Sequence, residues 1–387
     1  MNHQEKTPKK TLVRELIALH LISNLGARRI RMLMQSAGHP QDIFRMDRRE
    51  LQSVRGIGPK TAEQIVSFDD WSEVDRILQK TERIGAVLMT LWDGDYPPLL
   101  REIYDPPLLL WIRGNRRALQ TDSVAIVGTR KAGRYGRDAA RHFARELSKL
   151  GLTITSGLAY GIDGAAHRAT VVAGGCTVGV LGSGIDNIYP AAHKKLAADI
   201  MDTGGAIISE FPLGTDPDAG NFPVRNRIVS GMSLGTLVVA SGIAGGSMIT
   251  AKLALDQNRE VFVVPHPIGT PNAIGCNNLI QRGMGKLVQN VEDILEEIEV
   301  HISKRDDDDK DGEQAGDGLA GSPRWKSLEL DELSTDICKT LQDNPLHVDE
   351  LAERVGVEPH KLFPTLLELE LQECIRQTSG KNFELRF

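Results

Sequence analysis

The chain has 387 residues, 41 % of them apolar, which is enough for a buried core and for two to three domains. Its formal charge of −6 excludes a protein coated all over in nucleic acid. The excess is local, however: residues 301–387 carry 11 Lys and Arg against 20 Asp and Glu, while residues 1–80 carry 14 against 10, so a cationic surface remains available outside the tail.

The chain starts with a polar, lysine-bearing stretch that lacks an apolar core of signal-peptide length, and no run approaches the ~18 apolar residues of a membrane span. A cytoplasmic protein without a membrane partner is the expectation. Residues 1–80 read as a small helical domain, with Leu12, Leu16, Leu19, Ile22 and Leu25 at helical spacing. Within it, Leu51 to Ile65 contains Gly56-Ile57-Gly58-Pro59-Lys60 and resembles a helix-hairpin-helix element. The backbone N–H groups and lysine of such a turn can hold a DNA phosphate without reading bases, although the same hairpin also serves as a plain helical corner.

Residues 81–122 carry two proline pairs among aromatic and apolar residues, and Leu108 to Ile112 reads as an edge strand. From Ser123 onward strands and helices alternate regularly to Val264, which implies an extended Rossmann-like α/β domain over 81–300, doubly wound on a mainly parallel sheet. The first strand, Ser123 to Val127, runs into Gly128-Thr129-Arg130-Lys131-Ala132-Gly133-Arg134-Tyr135-Gly136. Such a turn can bring amides close to an anion at a helix start. It lacks the G-x-G-x-x-G spacing of a dinucleotide site, and Ser156 and Gly157 stand where an acid would take the ribose. Arg130, Lys131, Arg134, Arg137, Arg141 and Arg145 follow instead, either as a solvated basic helix face or, the preferred reading, as a groove for a polyanion.

Further loops fall at the carboxyl ends of later strands: Ser156 to Asp163 with Gly157 and Gly161, Gly182 to Pro190 with Ser183 and Gly184, and Ser241 to Ser247. Their amides would converge on one sheet edge. Phe222-Pro223-Val224-Arg225-Asn226-Arg227 places a ring beside two guanidiniums, the combination that holds single-stranded nucleic acid by stacking and phosphate contact, unless the arginines pair with Glu210 or Asp216.

Residues 301–327 form an acidic linker, expected to be disordered, whose run Asp306 to Lys310 also matches a protease-cleavage tag. Residues 328–387 have the pattern of a winged helix. Its presumptive recognition helix carries Glu358, Glu368 and Glu370 against Lys361, which favours a protein contact or packing over duplex binding. The cysteines Cys176, Cys276, Cys338 and Cys374 have no C-x-x-C spacing, so neither a metal site nor a disulfide is expected.

Taken together, Val124 to Arg130, Ser156 to Asp163, Ala166-His167, Leu181 to Asp186, Tyr189-Pro190, Ser209-Glu210, Phe222 to Arg227 and Gly275 to Ile280 closely resemble the DNA-processing protein A family (DprA, also called Smf). The resemblance implies a single-stranded DNA-binding homodimer that protects incoming DNA and helps load the recombinase RecA in natural transformation, without cofactor or catalytic residue. By position it puts Gly128, Thr129 and Arg130 in the family's phosphate-binding turn and Arg225 and Arg227 in its Arg-Asn-Arg segment. Pro265-His266-Pro267 departs from the usual Pro-Gly. The alternative is a phosphoribohydrolase-type enzyme acting on nucleoside monophosphates, with Asp163, His167 and Glu210 for acid-base work, although the Ser241 to Lys252 stretch lacks that fold's downstream acid.

Overall fold

The computed structural model describes residues 9–298 apart from 24 and, towards the carboxyl end, 325, 330–342, 346–357, 359–372, 374–378 and 382–385. It divides into two compact units, Met1–Arg305 and Asp306–Phe387.

The first unit opens with short helices α1 (Lys9–Leu21), α2 (Ala27–Ala37), α3 (Pro40–Ile43), α4 (Arg48–Ser53), α5 (Pro59–Val66) and α6 (Trp71–Arg83). Asp47 caps α4 in a capping box with Glu50, Asp70 caps α6, and Pro59 opens α5. Between α4 and α5 Gly56 takes φ +87°, the left-handed conformation that the expected hairpin turn requires, and Ile57 is buried beneath it. The apolar faces of these helices are not self-contained. One cluster runs from Leu16, Leu19 and Leu33 to Trp111, Leu158, Leu181 and Ile207 of the sheet domain. Trp111, fully buried, also donates its indole N–H to Thr81.

The sheet then builds as β1 (Val87–Thr90), α7 (Pro98–Glu102), β2 (Leu109–Gly114), β3 (Ser123–Gly128), α8 (Arg134–Lys149), β4 (Thr153–Ser156), α9 (Ile162–Val172), β5 (Thr177–Val180), α10 (Lys194–Asp202), β6 (Ala206–Ser209), α11 (Asn221–Gly231), β7 (Gly235–Ala240), α12 (Gly246–Asp256), β8 (Glu260–Val263), α13 (Ile274–Gln281) and β9 (Lys286–Leu287). The strand order is β1-β2-β6-β5-β4-β3-β7-β8-β9. All neighbours from β6 to β9 are parallel, and β1 and β2 are antiparallel additions. The edge-strand expectation for Leu108 to Ile112 is therefore corrected: β2 lies between β1 and β6, which explains why Leu109 to Ile112 are all fully buried. The strands are short and almost wholly apolar because both faces are covered. On one face Ala140, Phe143, Ala144 and Leu147 of α8 meet Val124, Ile126 and Ile154; on the other Ile228, Val229, Met248 and Ala251 of α11 and α12 meet Val127, Val180 and Val238.

From β3 the chain steps through β4, β5 and β6 in one direction and then returns to the other side of β3 with β7. The order reverses between β3 and β7, and a crevice opens there because the loops after the two strands leave in opposite directions. This topological switch point positions the site.

In the second unit a three-stranded sheet (Leu346–His347, Asn382–Leu385, Ile375–Thr378) stands with helices Glu332–Thr340, Val348–Val355 and Pro359–Leu371 around Ile337, Leu351, Leu362, Leu366 and Phe383, as a winged helix requires. Of the expected linker over 301–327 only Trp325 is described, buried in this cluster; the rest of the linker, including Asp306 to Lys310, together with Glu358 and the side chain of Lys361, lies outside the described residues. Among the described residues no helix is long and apolar enough to cross a membrane, no acid, His or Cys cluster could hold a metal, and no disulfide joins any of the four cysteines.

Candidate nucleic-acid interface

At the switch point lies an open cleft of about 400 Å³, with Gly128, Thr129, Arg130 and Lys131 on its β3 side and Gly242, Gly245, Gly246 and Ser247 on its β7 side. Gly157, Ala159 and Asp163 from the β4 loop and Phe222, Arg225 and Asn226 from α11 close its remaining walls. The glycines allow this approach. A Cβ on Gly128 would meet Ile162 and the Ala240 carbonyl, and one on Gly157 would meet the Arg225 guanidinium at 2.5 Å.

Arg130 is exposed and has no carboxylate partner among the described residues; its guanidinium stands 5.0 Å from the centre of the Phe222 ring. Phe222 in turn rests on Gly182, where a Cβ would come within 2.8 Å of the ring. Loss of a side chain at 182 is what lets the ring lie flat enough to support Arg130. Lys131 is also exposed on the rim.

Arg225 and Arg227 have different roles from those expected. Arg225 is 5 % exposed and donates through Nη1 to the carbonyls of Gly157 and Val180. Burial pulls its guanidinium down to about 10, Asp163 opposes this, and Arg130 adds to it. It lines the floor of the cleft and ties the ends of β4 and β5 to α11. Arg227 does not face the cleft: both its Nη atoms hold the two Glu210 oxygens at 2.6 Å, in a buried fork that Asp105 approaches at 3.5 Å. Its expected DNA contact is replaced by a positioning role, because a buried guanidinium needs a carboxylate more than a distant phosphate. Asp105 also accepts from Arg31 of α2, so the amino-terminal helices are pinned to the helix that carries Phe222. A second pin joins Lys80 to Asp186 at 2.6 Å.

Several expected donors are already engaged. The Thr129 N–H donates to Ala240, the Gly157 N–H to Asp163, the Gly184 N–H to Thr215, and the hydroxyls of Ser156 and Ser183 to the carbonyls of Ile126 and Asn187. Ser156, Ser183 and Gly184 therefore shape loops behind the cleft, outside its lining. Gly161, φ +79°, stands behind the Thr129–Arg130 peptide. Amides open to an anion lie instead at the start of α12, where no side chain caps the helix and, among the described residues, the N–H groups of Gly246 and Ser247 have no partner, that of Met248 being taken by the Gly245 carbonyl. Ser247 donates its hydroxyl to Ser241, and Asn226 donates to the Gly246 carbonyl, fastening α11 to α12.

The cations of the basic helix α8 are largely engaged by its own acids and carbonyls. Arg134 and Arg141 pair with Asp138, Arg145 and Lys149 pair with Glu146, and Arg137 donates to the Ala132 carbonyl. Two acids, Asp138 and Glu146, thus engage four of the helix's cations within one turn of the chain.

The groups considered for acid-base work hold the fold. Asp163 accepts from the Gly157 and Ala159 amides, and burial pushes its carboxyl up against the pull of Arg225. His167 is buried beside Thr177 at 2.7 Å and held down to about 3 by burial. Glu210 is the partner of Arg227. His266, the departure from the family's pattern, locks its loop to β7 through the Val239 carbonyl at 2.7 Å and packs edge-on against Tyr135. Sequence reasoning passed over Tyr160, Tyr189, Ile249 and Thr250 as lining residues. Their position just after strand ends β4, β5 and β7 was the available signal.

The model of the DNA recombination-mediator protein A family matches residues 87–299, that of the DprA winged helix domain residues 323–381, and that of the SAM-like helix-hairpin-helix tandem residues 13–68. Protein Smf of Escherichia coli K12 is 40 % identical over 331 residues, 86 % of each chain. The DNA processing protein DprA of Bacillus subtilis is 40 % identical over 229 residues, 59 % of this chain and 76 % of that one. Among solved structures, DNA processing protein A of Streptococcus pneumoniae superposes with a TM-score of 0.64 at 32 % identity, covering 73 % of this chain and 96 % of that one. DNA processing protein A of Helicobacter pylori, solved for its single-stranded DNA binding mode, gives 0.50 at 29 % identity over 56 % and 96 %. The switch-point cleft, the helix-hairpin-helix and winged-helix flanks, and a family match spanning the whole sheet domain agree, and the chain belongs to the DNA recombination-mediator protein A (DprA/Smf) family.

Proposed function

We propose that the switch-point cleft grips single-stranded DNA by its sugar-phosphate chain, and that this protein, acting as a homodimer, protects incoming strands and helps load the recombinase RecA onto them in transformation or recombination. The observation that carries the reading is Arg130: an exposed guanidinium without a carboxylate, held over an aromatic ring at the mouth of a cleft floored by a second arginine and an uncapped helix start. A cation in that setting recruits phosphate, and an open cleft whose lining also includes Phe222, Pro223, Val229 and Ile249 suits unstacked nucleotides better than a duplex. The single-stranded DNA named for the Helicobacter pylori relative and the family's description as a recombination mediator support the same reading. No catalytic step is assigned, since Asp163, His167 and Glu210 each stabilise a loop or a buried ion pair.

Arg130→Ala is expected to weaken binding to mixed-sequence oligonucleotides about equally and to flatten the dependence of log K on log salt by about 0.7, the value per phosphate for single strands. Fluorescence titrations at several salt concentrations, with single- and double-stranded oligonucleotides, measure both. Unchanged affinity and slope, or tighter binding to the duplex, would count against the cleft as the strand's seat.

A further inference from the structure

Phe222 was expected to stack a base, but its surroundings leave it little free face: Gly182 lies against the ring, Arg130 stands over it, and Tyr189 packs 5.7 Å away at a 33° tilt. Beside it a shallow recess continues from the main cleft, sharing Arg130, Gly157, Phe222 and Arg225 and adding Tyr160, Tyr189 and Pro190. Both tyrosines keep a large exposed surface, 47 % for Tyr160 and 41 % for Tyr189. Tyr160 is steadied edge-on by the buried His193, whose Nδ1 is bonded to the Leu158 carbonyl at 2.8 Å, so the ring is positioned without being covered.

Position and hydroxyl together set these two apart: Tyr96 donates to the Pro107 carbonyl and Tyr135 to the Pro265 carbonyl, while Tyr104, whose hydroxyl is also unbonded among the described residues, lies under Arg28 and outside the lining of the cleft and recess. Neither the Tyr160 nor the Tyr189 hydroxyl has a hydrogen-bond partner among the described residues. Two exposed rings, each with an apolar face and an unused polar tip, flank one recess next to the phosphate-seeking Arg130. A flat, partly polar ligand meets both needs at once, and the unpaired base of a polynucleotide is such a ligand.

Building on the reading of the cleft as a single-strand site, we propose that Tyr160 and Tyr189 form a second, base-stacking station, so that Arg130 and the α12 amides hold the backbone while the tyrosines hold a base. Phe222 then serves as the support of Arg130 and not as the stacking platform.

The test compares a 20-nucleotide oligodeoxythymidylate with a strand of equal length made wholly of abasic residues. The double variant Tyr160→Ala/Tyr189→Ala is expected to bind the thymidylate strand roughly ten- to a hundred-fold more weakly, with the salt slope unchanged, and to bind the abasic strand as the unaltered protein does. The pair Tyr160→Phe/Tyr189→Phe should recover most of the loss. Full affinity of the alanine pair for thymidylate overturns the proposal. So does an equal loss on the abasic strand, which would mean that the rings only prop the loops. Arg130→Ala, run alongside, separates the two readings: if it loosens both strands while the tyrosine pair changes nothing, only the stacking station fails, and if the unaltered protein ignores both strands, both fail.

Discussion

Replacing Arg227 with methionine is expected to destabilise the Met1–Arg305 unit by roughly 3–5 kcal/mol, the usual cost of leaving one member of a buried ion pair uncompensated. Both partners are buried, Arg227 at 8 % and Glu210 at 8 % exposure, and both Glu210 oxygens depend on the one guanidinium at 2.6 Å. Burial lowers the tendency of Arg227 to hold its proton, but the charge and hydrogen bonds of Glu210, with Asp105 behind them, outweigh it, so the guanidinium ends above its ordinary value. Among the described residues Arg227 is the one cation ion-paired with Glu210, so the carboxylate left behind in Arg227→Met loses that pairing. Urea denaturation followed by circular dichroism measures the effect. The informative comparison is Arg227→Met/Glu210→Leu, which removes both charges and should recover most of the stability, because paired apolar replacements of buried ion pairs are often neutral. If the double variant is no more stable than the single one, the damage comes from packing of the arginine stem and not from a stranded charge.

Gly161→Ala is expected to disturb stability and strand binding together. Gly161 sits at φ +79° as the residue before α9, and a methyl group there would lie 2.7 Å from the Arg130 carbonyl oxygen and closer still to that of Thr129. The positive-φ backbone alone, with ψ at −118°, costs an alanine on the order of 1–3 kcal/mol. The overlap adds to this by pushing the peptide that carries Arg130 off its present course, so binding should fall at least as far as in Arg130→Ala. Gly174→Ala provides the control: φ is +73° but nothing lies within 4 Å of the added methyl, so it should lose only the conformational part and bind strands normally. Thermal melts and oligonucleotide titrations on the two variants separate strain from displacement. Equal binding by both would show that the turn can move without moving Arg130.

Much of the fold was legible from periodicity. Strands such as Ser123 to Val127 and Ala206 to Ser209 are uninterrupted apolar runs because both faces of the sheet are covered, and glycines mark where the chain turns at their carboxyl ends. The winged helix was equally plain, since its helices keep a 3.6-residue apolar repeat. β1 and β9 escaped notice, being short and half-exposed, and the interior place of β2 did as well, because antiparallel addition to β6 leaves no local mark.

The sequence named part of the cleft, Gly128 to Lys131, Gly157, Phe222, Arg225, Asn226 and Ser247 among it, but not which side chains stand free there. Composition and spacing alone determined that arginines, glycines and an aromatic ring would gather after the strand ends, because loops must lie where strands stop. Which of those arginines is free was settled by partners far away in the chain: Arg227 meets Glu210 seventeen positions earlier and Asp105 more than a hundred earlier, whereas Arg130 meets no carboxylate among the described residues. Charge pairing in a folded protein acts through space at a few ångströms, and beyond the turn-to-turn spacing of a single helix no pattern along the chain encodes which acid will arrive at that distance.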